Sequence, residues 1–531
     1  MNTFKYTLVI FGLIIFISGC EEFVDKQPLS QPTDANFYGS AGDAILAVNA
    51  AYDPLQWQYM HGIYDFLMGD VVSDDSEVGG EGPNAWPEVQ AFEMFISNGE
   101  MGGLGEVWPT CYQGIYRCNL VIENFSGLSF TDEEPAGYPV RERVIAEARY
   151  LRAEYYFFLT KNFGDLVLVN YLLSSSEYIR PRVDKTIIWN LITGDLRKAI
   201  PHLPLKDEYS PNDLGRATKG AAQALLAKAY MFTSSYAKYN VFDGFTENWD
   251  SVKYFAQEVI NSGQYSLDPV FANVANEPGE HGSGSIFEVN FWEGINTDWG
   301  NPNEGTTYMV YILSRALGGW GFNLPTQDFI DEFEPDDPRL WLTAMQPGDS
   351  IFNREVDPNG LFPTNTTGYY SRKYCPDPDI MSSLPSVSHG TINQRTMRYA
   401  DILLIHAEAY NELGEAENAK ISLNEVRERA RMNHPDYPDQ PGTVLPDVTT
   451  IDYDELKQAI WHERRVELGL EHHRFYDIVR QGRAGEIMRN HTVFLYGEET
   501  LPFVDGKHEL FPIPQTVIDA SNNVITQNPN W

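Results

Sequence analysis

The sequence has little positive charge and few cysteines. Its 38 Lys and Arg residues stand against 75 Asp and Glu residues, which gives a formal net charge of −37 at pH 7. A protein with this excess of negative charge repels phosphate backbones, so we exclude nucleic acid as a partner. Four cysteines in 531 residues are too few for a disulfide scaffold. Cys111 and Cys118 are therefore expected to be buried thiols.

Motifs that would indicate catalysis or a bound metal are also missing from the sequence. It contains no GxSxG, HExxH or P-loop motif, and no Cys/His cluster with the spacing of a zinc site. The acidic groups at 331–337 and 377–379 lack the spacing of an EF-hand and are interpreted as solvated carboxylates. We therefore predict no metal, no cofactor and no enzymatic activity. The carboxylate pair of a glycoside hydrolase is left open, because acidic residues are numerous.

The first twenty residues have the order of an export signal. Lys5 precedes an apolar run from Leu8 to Ile17, which is too short to span a bilayer comfortably. The run ends at Ile17-Ser18-Gly19-Cys20, which resembles the processing site of a bacterial lipoprotein. Residues 1–19 are then a signal peptide, and Cys20 carries the acyl chains that anchor the protein. The alternative is an ordinary secretory signal with an incidental cysteine.

A short helical phrase recurs three times along the chain. Its copies are Ala153-Glu154-Tyr155-Tyr156, Ala227-Lys228-Ala229-Tyr230 and Ala407-Glu408-Ala409-Tyr410. Around the third copy, apolar residues recur at three- and four-residue steps on both sides of Gly414, which is the pattern of an αα-hairpin. Such a hairpin buries its apolar face only by stacking on others. The sequence therefore predicts a mainly α fold, built as a tetratricopeptide-like array of helical hairpins.

A segment of different character, residues 266–395, separates the second and third copies. It is rich in Gly and Pro and contains short alternating runs such as Ile286–Phe291, so we predict a loop-rich insertion with short strands. The mature chain then consists of residues 20–265, the insertion and residues 396–531, within one compact domain. Insertions into helical arrays usually project on one face, which is often where ligand binds.

Aromatic side chains in polar surroundings are the candidate ligand-binding residues. Sugars present apolar C–H faces and a rim of hydroxyls, so a carbohydrate site needs aromatic planes beside short polar side chains. The loop around residue 86 and the segment Phe291–Phe322 both offer this mixture. Trp341, which lies between two leucines, is expected in the core. The candidates are Trp86, Trp292, Trp299, Tyr308 and Trp320, with packing on neighbouring elements as the alternative.

Several phrases follow one another from one end of the chain to the other. They are Phe23–Pro28, Glu147–Tyr156, Glu463–Arg480, Phe511–Pro514 and Gln527–Trp531. In this order they resemble the SusD/RagB family of outer-membrane nutrient-binding lipoproteins. One departure is Glu471-His472-His473, where the family usually has Glu-Gly. Acids and arginines at helical spacing typically form structural ion pairs. We expect such pairs within Glu463–Arg480, and between Arg149 or Arg152 and helix carboxylates such as Glu147 and Glu154.

The resemblance implies a surface protein that binds nutrients and does not catalyse their conversion. Its expected role is to capture glycan and deliver it to a SusC-like TonB-dependent transporter, while Cys20 anchors it in the outer membrane, facing the cell exterior. Some relatives resemble peptide capturers, so peptide cargo is an alternative. A glycoside hydrolase is the third hypothesis.

Overall fold

The computed structural model of the protein describes residues 37–80, 82, 85–100, 103–127, 137–292, 305–356, 367–384, 389–433, 443–493 and 501–531. Cys20, the signal peptide and Trp299 lie outside these residues. Helices predominate in the described chain and the strands are short, which confirms the predicted mainly α fold.

The helices and strands are labelled here in chain order. The helices are α1 Ala41–Tyr52, α2 Tyr64–Phe66, α3 Pro87–Glu93, α4 Leu104–Ser126, α5 Val140–Phe163, α6 Lys185–Ala199, α7 Lys219–Lys238, α8 Trp249–Asn261, α9 Tyr308–Ile312, α10 Gln327–Asp331, α11 Arg339–Thr343, α12 Pro378–Ser383, α13 Tyr399–Glu412, α14 Ala416–Arg431, α15 Tyr453–Glu467, α16 Arg474–Arg480, α17 Ala484–Asn490 and α18 Gln515–Ala520. The strands are β1 Ser76–Gly79, β2 Ser285–Val289, β3 Phe322–Pro325, β4 Ala344–Met345, β5 Ser350–Ile351, β6 Arg354–Glu355, β7 Tyr370–Ser371 and β8 Gln394–Arg398.

The long helices form one continuous array. Helices α4 to α8 each pack on the next one, and α8 then packs on α13, although the insertion separates these two in sequence. His406 of α13 makes that contact specific, because its Nε2 lies 3.1 Å from Gln257 Oε1 of α8. The array continues from α13 to α14 and α15. The predicted helical array is thus confirmed. The chain leaves the array after α8 to form the insertion and returns to it at α13, and these two helices pack on each other.

The repeated phrase accounts for the close approach of these helices. Its leading alanines, Ala153, Ala227 and Ala407, are completely buried. Gly114 of α4 leaves room for the ring of Tyr155 on α5, whose hydroxyl donates to Ala51 O at 2.8 Å. Gly414 separates α13 from α14 with a φ of 76°, a left-handed conformation that glycine adopts without strain. The predicted hairpin is confirmed at this position.

Short antiparallel strand pairs attach the insertion to the array. Strand β2 pairs with β8, and Ser285 lies opposite Arg398, directly before α13 begins. Strand β1, from the N-terminal part, pairs with β3 of the insertion. The pairs β4–β7 and β5–β6 lie within the insertion. The strand predicted within 286–291 is confirmed as β2, which spans Ser285–Val289.

The acids and arginines of the C-terminal phrase form buried ion pairs, as predicted. Arg464 Nη1 lies 2.7 Å from Asp401 Oδ1, and Arg480 lies 2.6 Å from Glu408 and 2.7 Å from Asp477. These pairs join α13, α15 and α16. They hold the C-terminal helices together.

The predicted pairing of Arg149 and Arg152 with a helix carboxylate is confirmed, but the partner is Asp195 rather than Glu147 or Glu154. Both arginines bind Asp195 on the neighbouring helix α6, with Arg152 Nε 2.7 Å and Arg149 Nη1 3.0 Å from its carboxylate. Glu147, the predicted partner, is instead bound by Arg143 on its own helix and by Arg216 at 3.1 Å. The two arginines therefore bridge two helices of the array.

Trp341 is half exposed, with 50% of its surface accessible, so its predicted burial is wrong. It lies in the middle of α11, which directs Arg339 and Thr343 inward, one turn apart. Arg339 is completely buried and bound to Asp337 at 2.8 Å. Because this ion pair sets which side of the helix faces the core, the indole points outward.

The predicted burial of Cys111 and Cys118 is confirmed, and both are free thiols. Burial raises the pKa of both thiols, so neither is a reactive thiolate. Within the described part of the chain, no helix has the length and apolar character needed to cross a bilayer.

Candidate functional site

Two of the predicted ligand-binding residues, Trp86 and Trp320, meet in one group of rings. Both lie against Tyr311, with ring centroids 5.1 and 4.7 Å apart, respectively. Phe322 completes the group at 5.5 Å from Trp86 and 5.3 Å from Tyr311. We call these four residues the aromatic cluster. It joins the loop before α3 to helix α9 and strand β3, so elements distant in sequence build one surface.

Glycines and backbone hydrogen bonds hold the aromatic cluster together. Gly80 N donates to Gly321 O at 2.8 Å, which extends the β1–β3 pairing up to the rings. A Cβ at Gly80 would lie 2.7 Å from the ring of Phe322, and the φ of 86° also favours glycine. Trp320 N donates to Val310 O at 2.8 Å. These bonds make the cluster a rigid base rather than a set of independent loop side chains.

The members of the cluster differ in their accessibility. Tyr311 and Phe322 are buried, with 7% and 6% of their surfaces exposed. Trp86 and Trp320 are half-buried above them. The arrangement therefore presents two indoles that are supported from below, as a stacking platform requires, because a supported ring loses little freedom when a ligand covers it.

The phenols beside the cluster stay neutral. Burial and the nearby Tyr59 raise the pKa of Tyr311, and burial followed by Glu106 raises the pKa of Tyr59. Tyr64 lies against Tyr59 with ring centroids 5.7 Å apart. These hydroxyls keep their protons at physiological pH. Tyr59 is half-buried whereas Tyr64 and Tyr311 are buried, so the hydroxyl of Tyr59 can donate to the oxygen of a neutral ligand. The chemistry of this surface suits stacking and hydrogen bonding rather than proton transfer.

The structure does not support the predicted accessibility of Tyr308. Only 4% of its surface is exposed, and its hydroxyl accepts a hydrogen bond from Asn323 Nδ2 at 3.2 Å. Its ring packs on Phe66 and His472, with centroids 5.1 and 5.2 Å away. All five residues of α9 are buried, because this short helix of the insertion packs on β3, and its Tyr308 packs on Phe66 and His472. Tyr308 supports the site from inside and offers a ligand no face in this structure.

Trp292 and Trp299 are not part of the aromatic cluster as described. Trp292 follows β2 and is 65% exposed, and no other ring of the described residues packs on it. Trp299 lies outside the described residues. The sequence reasoning also missed Tyr311 and Phe322. Tyr311 is three residues after Tyr308 on a helix, and Phe322 follows a Gly-Trp-Gly phrase; only the β1–β3 pairing shows that both lie under Trp86.

Among the described residues, no cluster of three or more His, Cys, Asp or Glu side chains is arranged to hold a metal ion. The candidate calcium ligands are engaged otherwise: Asp337 binds the buried Arg339, and Asp379 binds Arg354. The expectation that Asp337 is solvated is wrong, because its carboxylate neutralises a guanidinium in the core.

Comparisons with known proteins were made against families, individual proteins and solved structures. A family model described as "SusD family" matches residues 283–531, and a second, "Starch-binding associating with outer membrane", matches residues 83–231. The SusD-like protein P25 of Formosa agariphila is 26% identical over 524 residues, covering 91% of this chain and 90% of that protein.

Among solved structures, a laminarin-binding SusD-like protein is 25% identical, with a TM-score of 0.71 and coverage of 93% of this chain and 100% of the other. Surface glycan-binding protein A from Bacteroides thetaiotaomicron, solved in complex with laminarihexaose, is 24% identical, with a TM-score of 0.72 and coverage of 92% and 99%. These matches agree with the order of the sequence phrases and with the helical array that carries a looped insertion. The chain therefore belongs to the SusD/RagB family.

Proposed function

We propose that this protein is a non-catalytic binding lipoprotein of the outer membrane, which captures glycan and delivers it to a SusC-like TonB-dependent transporter. The observation that carries the proposal is the aromatic cluster, in which two half-buried indoles rest on a buried tyrosine and phenylalanine. Flat, supported rings beside neutral hydroxyls match the apolar faces and hydroxyl rim of a sugar.

The relatives support glycan as the cargo. Two of the similar structures are described by their names as binding laminarin or as a complex with laminarihexaose, and one matching family model is described as starch-binding. The same description speaks of association with the outer membrane. The transporter partner rests on the family resemblance and on the lipoprotein-like sequence that ends at Cys20.

The aromatic cluster can be tested by titration with a panel of plant, algal and host oligosaccharides and with a peptide digest. We expect Trp86→Ala and Trp320→Ala each to weaken glycan binding about tenfold or more, equivalent to ~1.4 kcal/mol or more, because each removes a stacking face. Isothermal titration calorimetry measures the change, and circular dichroism verifies the fold. Trp341→Ala is the matched control, since it removes a half-exposed indole outside the cluster.

Two outcomes would contradict the proposed function, and a third would contradict the proposed site. Saturable binding of peptides alone would assign the peptide cargo of RagB-like relatives, and turnover of the glycan during the titration would favour the hydrolase hypothesis. Equal affinity of the wild type and both cluster variants would place the glycan elsewhere on the protein.

The lipid anchor has its own test. If Cys20 carries the acyl chains, Cys20→Ser is expected to abolish incorporation of labelled palmitate and to move the protein from the membrane fraction to the soluble fraction of cells. Cys375→Ser is the control, because Cys375 is a buried thiol. Unchanged labelling of the Cys20→Ser variant would refute the anchor.

A further inference from the structure

A second concave surface lies apart from the aromatic cluster and shares no residue with it. It is a cleft of about 370 Å³ between the end of α1, the loop 212–216 and the end of β2. Ligand pockets typically have volumes of ~300–1,000 Å³, so this cleft has room for a small ligand. We call it the amide cleft, because four of its side chains are amides: Asn49, Gln56, Asn212 and Asn290.

Two of these amides build the walls of the cleft. Gln56 Nε2 donates to Asn290 O at 2.6 Å, and Asn290 Nδ2 donates to Leu214 O at 3.2 Å. Gly215 is required beside them, because a Cβ there would lie 2.4 Å from Asn290 Nδ2 and its φ is 97°. These contacts join three segments that are far apart in sequence. The walls are therefore positioned by the fold before any ligand arrives.

The other two amides lie at the rim and are available to a ligand. Asn49 and Asn212 are exposed, and their side chains have no hydrogen-bond partner among the described residues. An amide both donates and accepts hydrogen bonds, which suits a hydroxyl group that does the same. Leu214 is 37% exposed at the same rim and offers an apolar contact.

Trp292 follows Asn290, a lining residue of the cleft, by two positions in the chain. Asn290 and Trp292 are exposed, while Phe291 between them is buried and donates its backbone N–H to Asn393 Oδ1 at 2.9 Å. In extended chain this alternation places Asn290 and Trp292 on one side, ~7 Å apart along the backbone. The indole is 65% exposed and packs on no other ring of the described residues, so packing among them does not account for it.

The charges of the cleft select against anionic ligands. Its carboxylates are Asp53, Asp213 and Glu288, and Arg216 is the guanidinium among the lining residues. Arg216 Nε lies 2.8 Å from Asp213 and its Nη1 lies 3.1 Å from Glu147, so its charge is already neutralised. Asp53 is paired with Arg117 at 2.5 Å and Glu288 lies 3.6 Å from Arg395, so a phosphate, sulfate or uronate finds no unpaired cation among the lining residues. A neutral polyhydroxyl ligand could instead donate hydrogen bonds to the carboxylate oxygens, bind the amides and contact the apolar side chain at the rim.

We propose that the amide cleft is a second carbohydrate subsite, which takes neutral sugar rings and uses Trp292 as the ring on which one of them stacks. The inference rests on the proposed glycan-binding function and extends it. The protein binds a glycan chain more tightly when the chain occupies both the aromatic cluster and the amide cleft. Once one site has bound the chain, binding at the other site is intramolecular, so neither contact needs to be stronger.

The test uses the full-length protein in detergent and a panel of neutral oligosaccharides that includes laminarihexaose, with affinities measured by isothermal titration calorimetry. Asn49→Trp fills the mouth of the cleft, and Trp292→Ala removes the platform. We expect each to weaken binding of the best hexasaccharide at least fivefold. Asn190→Trp on α6 and Trp341→Ala are the controls, since both alter exposed side chains away from the cleft. Both are expected to bind like the wild type.

The outcomes separate this inference from the proposed function. If the cluster variants lose affinity while Asn49→Trp and Trp292→Ala bind like the wild type, the subsite is overturned and the glycan-binding function stands. If the wild type binds no neutral oligosaccharide, both are overturned. Asn49 and Trp292 are exposed, so both variants are expected to have the circular dichroism spectrum of the wild type. If one variant unfolds, the oligosaccharide affinity of the other tests the subsite.

Discussion

The substitution Glu467→Gln is expected to destabilise the folded protein by about 3–5 kcal/mol. Glu467 is completely buried at the end of α15 and accepts hydrogen bonds from three arginines. Arg339 lies at 3.2 Å, Arg398 at 3.1 Å, and Arg429 is also bound. These arginines belong to α11, β8 and α14, so one carboxylate joins the insertion to the array. Its loss removes the carboxylate paired with the buried Arg429, while Arg339 keeps Asp337 and Arg398 keeps Glu471.

The effect of Glu467→Gln is also expected to depend on pH. Burial opposes ionisation of Glu467, but the charges of Arg429, Arg398 and Arg339 outweigh it and lower its pKa to about 2. A lowered pKa stabilises the fold above the ordinary glutamate value of ~4.3, and this contribution is lost as the pH falls toward 2. The difference between wild type and variant should therefore be full at pH 6 and shrink between pH 4 and pH 2.

Chemical denaturation followed by circular dichroism measures this difference at each pH. Glu417→Gln is the matched control on α14, where the carboxylate is 77% exposed and pairs with Lys420 at 3.0 Å. Exposed pairs contribute ~0–1 kcal/mol, so a small change is expected for the control. A loss for Glu467→Gln no larger than that of the control would show that the buried arginines do not depend on this carboxylate.

The second large effect is expected when glycine is replaced by alanine at two helix positions, because one substitution should destabilise the fold and the other should stabilise it. Gly114→Ala would place a Cβ 2.2 Å from the ring of Tyr155, which is completely buried and bound through its hydroxyl to α1. The ring has little freedom to move, so we expect a loss of about 1–3 kcal/mol from overpacking. Gly194→Ala meets no atom within 4 Å of its new Cβ on α6. It is expected to stabilise the protein by about 0.5–1 kcal/mol, because alanine favours a helix over glycine.

Thermal and urea denaturation of the two alanine variants beside the wild type provide the measurement. Both glycines lie within helices, so helix propensity favours alanine at both positions, and only the packing against Tyr155 separates them. Stabilisation by Gly114→Ala would mean that α4 and α5 are not packed as closely as described. Destabilisation by Gly194→Ala would mean that this face of α6 is covered in solution.

Buried positions within helices could be predicted from the sequence, whereas contacts between helices could not. The repeated phrase predicted the buried Ala153, Ala227 and Ala407, because helical periodicity is a local property that the chain carries in its own spacing. The same spacing predicted the break between two helices at Gly414, which has a positive φ in the structure. Asp195 as the partner of Arg149 and Arg152 could not be predicted, since it lies more than 40 residues away on the next helix.

The candidate site was predicted less completely than the fold. A polar neighbourhood in sequence indicated that Trp86, Trp320 and Tyr308 are accessible, yet Tyr308 is buried beside Phe66 and His472. Sequence neighbours do not reveal which distant segments cover a ring. The opposite error was made for Trp341. Its leucine neighbours predicted that it is buried, but the buried Arg339 on the same helix directs the indole outward.

The sequence by itself determined the helical array, the position of the looped insertion, the family resemblance and the absence of catalytic motifs, because these follow from periodicity, composition and short phrases. Only the tertiary structure decided that Trp86 and Trp320 share the support of Tyr311, and that Asn49, Asn212 and Asn290 line one cleft. Each of these groupings depends on strand pairing and helix packing between segments far apart in the chain. The free energy that selects these pairings comes from burying apolar surface throughout the molecule. A local sequence pattern does not contain this information.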